Sequence, residues 1–238
     1  MRPALESTGF EIVPNVLSPF QVEDLRAAVP ETYGTRSLLE FPFIRDLAQS
    51  TAVRTLINSV LGSDCFAVRG LFFDKTESAN WKVPWHQDRV IAVRERREAH
   101  GYTLWTNKNG VVHVQPPADL LARMIAIRLH LDDSTDENGP LRVIPGSHQS
   151  GFISDAELEQ WKVTRVVTCT CKAGDAILMR PLLLHASSPT TKPIPRRVIH
   201  LEFATEQLPD GLLVPHGLIS TDKRRRRVTC EIQPVRAG

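Results

Sequence analysis

At about residue 64 the chain changes its hydrophobic period, and that change restricts the folds open to it. Upstream, apolar residues recur at helical spacing. In the run 46–61, Leu47, Val53, Leu56, Ile57, Val60 and Leu61 form one stripe, with Asp46 as a candidate cap and Gly62 as a stop. A second helix is expected from Ser18, a capping residue followed by Pro19, to about Ala28, after a short strand over 9–16. Downstream, short runs of period two are broken by Gly, Pro and Asp. The candidate strands are 66–74, 82–88, 124–132, 140–144, 163–170, 175–180, 182–186 and 196–204. Small helices are expected near 117–123 and 154–161. Strands of this number and spacing suit an all-β core with flanking helices, a double-sheet jelly roll. The 238 residues fit one such domain.

Within the second candidate strand lies His86-Gln87-Asp88. Side chains two apart on a strand share a face, so His86 and Asp88 can grip one ion. A later histidine, His185, completes two imidazoles and one carboxylate. That facial set suits non-haem Fe(II) and leaves coordination positions open. The pattern has a competitor in this chain. His130-Leu131-Asp132 is a second HxD on a candidate strand, and spacing alone does not separate the two.

The segments WHQD (85–88), LDDSTDENGPLRVIPGSH (131–148), AGD (173–175) and HASSPTTKPIPRRVIHLEFA (185–204) together resemble the phytanoyl-CoA dioxygenase family. The opening GFEIVPNVLSPFQVEDLRAAV resembles that family as well. The resemblance implies a double-stranded β-helix (a cupin-like jelly roll) and an oxygenase using Fe(II), 2-oxoglutarate and O2. It assigns the metal to His86, Asp88 and His185 rather than to the second HxD. It implies hydroxylation of an unactivated C–H bond with release of succinate and CO2. Related halogenases have Gly or Ala where this chain has Asp88, so halogenation is not expected.

The resemblance also names co-substrate residues. Arg196, eleven residues after His185, matches the anchor for the distal carboxylate of 2-oxoglutarate, and Ser187 matches an assisting hydroxyl. A guanidinium forks onto a carboxylate in a way Lys cannot copy. Periodicity sets Arg197 with Ile199, Leu201 and Phe203, and Arg196 with His200 and Glu202. By that pattern Arg197 could equally face inward; the eleven-residue spacing favours Arg196. Arg128 falls where the family has a residue lining the pocket. It either meets 2-oxoglutarate or an anionic substrate, or forms a structural ion pair.

Residues 89–116 form a long, polar, basic insertion after Asp88, expected to be a substrate lid. Trp105, His113 and Gln115 are its candidate substrate contacts. Lys75 and Trp81, in the segment entering the metal strand, are weaker candidates. Two other classes stand beside the oxygenase. One is a metal-dependent barrel enzyme that does not use 2-oxoglutarate, and the other is a non-catalytic binding or sensing protein on the same scaffold.

The charge balance, 29 basic against 27 acidic residues, does not suggest a nucleic-acid partner. No run is long and apolar enough to cross a membrane, and no apolar signal region follows Met1. Cys65, Cys169, Cys171 and Cys230 are expected to be reduced thiols, which fits a cytoplasmic enzyme with a small-molecule substrate. The basic run 223–227 reads as a solvated tail.

Overall fold

Period two in the second half builds two facing antiparallel sheets. The computed structural model describes residues 2–29, 34–35, 38–75, 80, 82–108, 110–192 and 194–205. Trp81, Cys230 and the basic run 223–227 lie outside the described residues. In chain order the first elements are α1 (Pro3–Thr8), β1 (Phe10–Val13), α2 (Pro19–Ala28), β2 (Gly34–Thr35), α3 (Pro42–Gln49) and α4 (Thr51–Leu61). There follow β3 (Phe66–Lys75), β4 (Val83–His86), β5 (Ile91–Val93), β6 (Thr103–Lys108), β7 (Val111–Gln115), α5 (Ala118–Ala122) and β8 (Ile125–His130). The chain continues through β9 (Leu141–Val143), α6 (Asp155–Lys162), β10 (Val167–Cys169), β11 (Ala176–Met179), β12 (His185–Ser187) and β13 (Arg196–Ala204).

The large sheet has the order β1-β11-β8-β13-β3-β2, and the facing sheet β10-β9-β12-β4. Alternation along the central strands sorts their side chains. Ile127 and Leu129 of β8, with Ile199, Leu201 and Phe203 of β13, face outward onto Val22, Leu25, Ile44, Val53 and Ile57 of the helices. On the inner side Ala126, Ile177 and Met179 meet Leu141, Val143 and Cys169 of the small sheet. Burying each large aliphatic side chain stabilises the fold by about 1.5–3 kcal/mol. The same alternation leaves Arg196, His200 and Glu202 on the inner face of β13. The architecture is the expected all-β jelly roll with flanking helices.

Two local expectations are corrected. The stripe over 46–61 is two helices rather than one. Ser50 takes extended dihedrals (φ −60°, ψ 150°) and its hydroxyl accepts from the Val53 amide, so it caps α4, and Asp46 lies inside α3. The segment 89–116, read above as a polar insertion, has an apolar inner side. It contains the three-stranded sheet β5-β7-β6. Ile91, Val93, Tyr102 and Val114 are buried against Phe66, Val68, Leu182 and Ala204. The inward residues of β5 and β7 are thus part of the apolar core.

Candidate metal and co-substrate site

β4 and β12 pair antiparallel, with His86 directly opposite His185. Their rings stand 4.1 Å apart, centroid to centroid. Asp88 lies just past the end of β4, where its amide donates to the Pro181 carbonyl at 2.9 Å. Between them Gln87 points the other way. Its side-chain nitrogen donates to the carbonyls of Gly151 and Leu182, and its oxygen accepts from the Ile153 amide. That clamp holds the two flanking side chains on the cavity side.

The imidazoles are set up as ligands. Nδ1 of His86 lies 2.8 Å from the Pro84 carbonyl, and Nδ1 of His185 2.9 Å from the Leu183 carbonyl. A carbonyl only accepts, so each proton sits on Nδ1 and each Nε2 keeps its lone pair. Those Nε2 atoms lie 3.9 and 3.7 Å from the Asp88 carboxylate, and one donor atom from each residue falls within 4.8 Å of the others. Burial pushes His185 down to about 3, so its ring is neutral at physiological pH, the form that ligates. Burial alone would raise Asp88. His185, His200 and His86 when their rings are protonated, and the Arg69 guanidinium, outweigh it and hold the carboxyl below its ordinary range. Two imidazoles held through Nδ1 and a carboxylate beside their Nε2 atoms fit a divalent iron.

A cavity of about 510 Å³, counted out to its mouth, joins this triad to a cationic end. It is lined by His86, Asp88, His185, Ser187, Arg128 and Arg196, six of the residues expected from sequence. Arg196 is 2% exposed, and its Nε and Nη1 are buried without a hydrogen-bond partner among the described residues. Lys75, directly opposite on β3, also lines the cavity. Its ammonium donates to Ser187 Oγ at 3.0 Å and to the Ser188 carbonyl. Burial, then Arg196 and Arg128, push Lys75 down to about 7. Burial, then Arg128, push Arg196 down to about 9, so it stays charged at neutral pH.

Gly139 closes this end. Its φ of +68° is left-handed, and a Cβ there would stand 2.2 Å from the Ser188 carbonyl oxygen. The Asn-Gly turn is therefore needed to bring residues 188 and 75 together. Buried cations facing a cavity with unused donors fit a dicarboxylate such as 2-oxoglutarate.

Among the described residues Arg128 forms no ion pair with a carboxylate. It donates from Nη1 to Nδ1 of His200 at 3.2 Å and stacks over Phe73, 5.1 Å from the ring centre. The second HxD is not assembled. β8 ends at His130, so the alternation stops there. Asp132 is gripped outside the cavity by both forks of Arg197 at 2.8 Å and by Arg26 at 3.0 Å. His130 is fully buried, and burial, then Arg128 and Arg196, push it down to about 3. Trp105, His113 and Gln115 do not line the cavity. Trp105 lies under Arg96, and the His113 ring is directed at the Val111 carbonyl within its own strand. Sequence reasoning underrated Lys75 and missed His200 as a cavity residue. The signal for His200 was its shared face with Arg196.

The family model for phytanoyl-CoA dioxygenase (PhyH) matches residues 5–198. The chain belongs to the phytanoyl-CoA dioxygenase family. A phytanoyl-CoA dioxygenase domain-containing protein 1 homolog of Dictyostelium discoideum is 38% identical over 33% of this chain and 34% of its own length. L-proline trans-4-hydroxylase of Streptomyces griseoviridis is 29% identical over 61% of this chain and 56% of that one. Ectoine dioxygenase of Nocardia farcinica is 24% identical over 82% and 74%. The chain thus spans about a third and about half of the length of the first two. Among solved structures, HygX from Streptomyces hygroscopicus, with nickel and 2-oxoglutarate bound, superposes with a TM-score of 0.62 over 84% of this chain and 83% of that one. At 17% identity that likeness bears on the fold.

Proposed function

We propose that this protein is an Fe(II)- and 2-oxoglutarate-dependent oxygenase that hydroxylates an unactivated C–H bond of a small molecule. The observation that carries the reading is the pair of imidazoles whose Nδ1 atoms are tied to backbone carbonyls, leaving both Nε2 lone pairs beside Asp88. Iron would be held by His86, Asp88 and His185. Arg196, Lys75 and Ser187 would take the distal carboxylate of 2-oxoglutarate, and Arg128 would line the same cavity. Bound there with O2, the pair supplies oxidising power, with 2-oxoglutarate converted to succinate and CO2 as one oxygen atom enters the substrate.

The protein's own contribution is orientation and a dry cavity. Leu71, Phe73, Val83 and Leu141 line the apolar walls. The three-stranded sheet of residues 91–115 packs on Phe66, Val68 and Ala204, beyond the metal side of the cavity, and in this reading it borders the substrate entrance. The proline hydroxylase and ectoine dioxygenase relatives support an amino-acid-sized substrate. Cys65, Cys169 and Cys171 are free and buried, which favours a cytoplasmic setting. Among the described residues no helix is long and apolar enough to cross a membrane.

The test is product analysis. Protein supplied with Fe(II), 2-oxoglutarate and air should form succinate, and screening against small metabolites should yield a product heavier by one oxygen. Metal-dependent turnover without 2-oxoglutarate would favour the alternative barrel chemistry instead.

A further inference from the structure

β13 carries Arg196 at one end of its inner face and Glu202 six residues farther on, about 20 Å along an extended strand; Arg196 and His200 line the cavity, and Glu202 adjoins it through His200. The register sets Arg69 opposite Glu202, and Nη1 of Arg69 donates to Glu202 Oε1 at 3.0 Å. The two side chains keep only 9% and 5% of their surface in contact with solvent. Between the two ends stands His200. Its Nδ1 accepts from Arg128, since a guanidinium only donates, so its proton sits on Nε2. That Nε2 is buried and makes no hydrogen bond among the described residues, although it lies 3.4 Å from Glu202 Oε1. His200 is 1% exposed, and its ring, the Asp88 carboxylate and the Glu202 carboxylate converge within 4.8 Å. A buried donor left unused beside a nearly buried ion pair marks a place where a ligand completes the bonding.

The charge pattern selects that ligand. Arg69 and Glu202 cancel one another. An anion alone would face two carboxylates, Glu202 and Asp88. A cation alone would strand the Arg69 guanidinium in a nearly dry site. A zwitterion exchanges one internal pair for two external ones with no change in net charge. We propose that Arg69, Glu202 and His200 form the recognition site for a small zwitterionic substrate, amino-acid-like, with its cationic nitrogen on Glu202 and its carboxylate on Arg69 and the His200 Nε2–H. This rests on the oxygenase reading above and names the substrate class of that site. The position agrees: Asp88 lies within 4.8 Å of His200 and Glu202, and Phe66 and Ala204, a cross-strand pair farther along the same two strands, pack against the inserted sheet.

The test uses the full chain loaded with Fe(II) and 2-oxoglutarate in the absence of oxygen. It is titrated with the twenty standard amino acids and ectoine. Each compound that binds is compared with its amine and its carboxylic acid counterparts, as proline is with pyrrolidine and cyclopentanecarboxylate. Perturbation of the visible iron–keto acid band and calorimetry read the binding. At least one zwitterion should bind ten times more tightly than either counterpart, and the double variant Arg69→Gln/Glu202→Gln should lose that preference while still holding iron. Binding by no zwitterion, equal binding by a single-charge counterpart, or an unchanged preference in the double variant overturns the proposal. The comparison within the wild-type chain decides the matter even if the double variant does not fold. Failure of the oxygenase reading shows differently, as a wild-type chain that holds no iron or turns over no 2-oxoglutarate, and the proposal falls with it.

Discussion

Arg196 and Lys75 stand directly opposite one another on adjacent antiparallel strands, both buried and both facing the same cavity. Like charges in that relation destabilise a sheet. Among the described residues neither is neutralised by a hydrogen-bonded carboxylate: Lys75 donates to a hydroxyl and a carbonyl, and two nitrogens of Arg196 have no partner. A bound dianion resolves the conflict, which is the physical basis for placing 2-oxoglutarate there.

The same pair makes affinity depend on pH. Lys75 is held at about 7 in the free protein, whereas a bound carboxylate favours its charged form and raises that value. Binding is therefore strongest below about pH 7 and weakens as pH rises through it, by at most about tenfold per pH unit. Calorimetric titration of 2-oxoglutarate across that range should show proton uptake on binding. Lys75→Met should bind more weakly and lose the pH dependence.

Arg196 and its neighbour Arg197 should separate cleanly. Arg196→Lys removes the fork aimed into the cavity and should weaken 2-oxoglutarate binding at least tenfold, about 1.4 kcal/mol, with iron retained. Arg197→Lys disrupts the outer clamp on Asp132 and should instead cost about 1–2 kcal/mol of stability with little change in affinity. Equal effects on affinity would contradict the assignment.

This contrast shows what could be read from the chain and what could not. Strand parity paired His86 with Asp88, a signal local to one strand, while the resemblance to the family assigned His185, Ser187, Arg128 and Arg196; all six line one cavity. Parity failed at His130 and Asp132, since the strand ends between them and Asp132 is captured by Arg26, over a hundred residues earlier in the chain. The break at Ser50 was hidden because two short helices share one apolar face. The sheet within 89–116 was obscured by charges on its exposed side, and its apolar contacts come from β3 and the end of β13.

That inserted sheet gives a stability prediction. Val114 is fully buried among Phe66, Val68 and Leu182. Val114→Ala should cost about 2 kcal/mol, and deletion of 89–116 should destabilise the barrel itself. Thermal or denaturant unfolding measures both. A deletion variant as stable as the full chain would mean that the sheet is a detachable lid.

The central claim is that His86, Asp88 and His185 hold one Fe(II), and the most direct measurement is iron stoichiometry across paired variants. Anaerobic titration of Fe(II) should give one ion per chain in the wild type. His86→Ala and His185→Ala should lose it, and His130→Leu should keep it, along with the visible band formed on adding 2-oxoglutarate. An empty site in His130→Leu with full occupancy in His86→Ala would contradict the account.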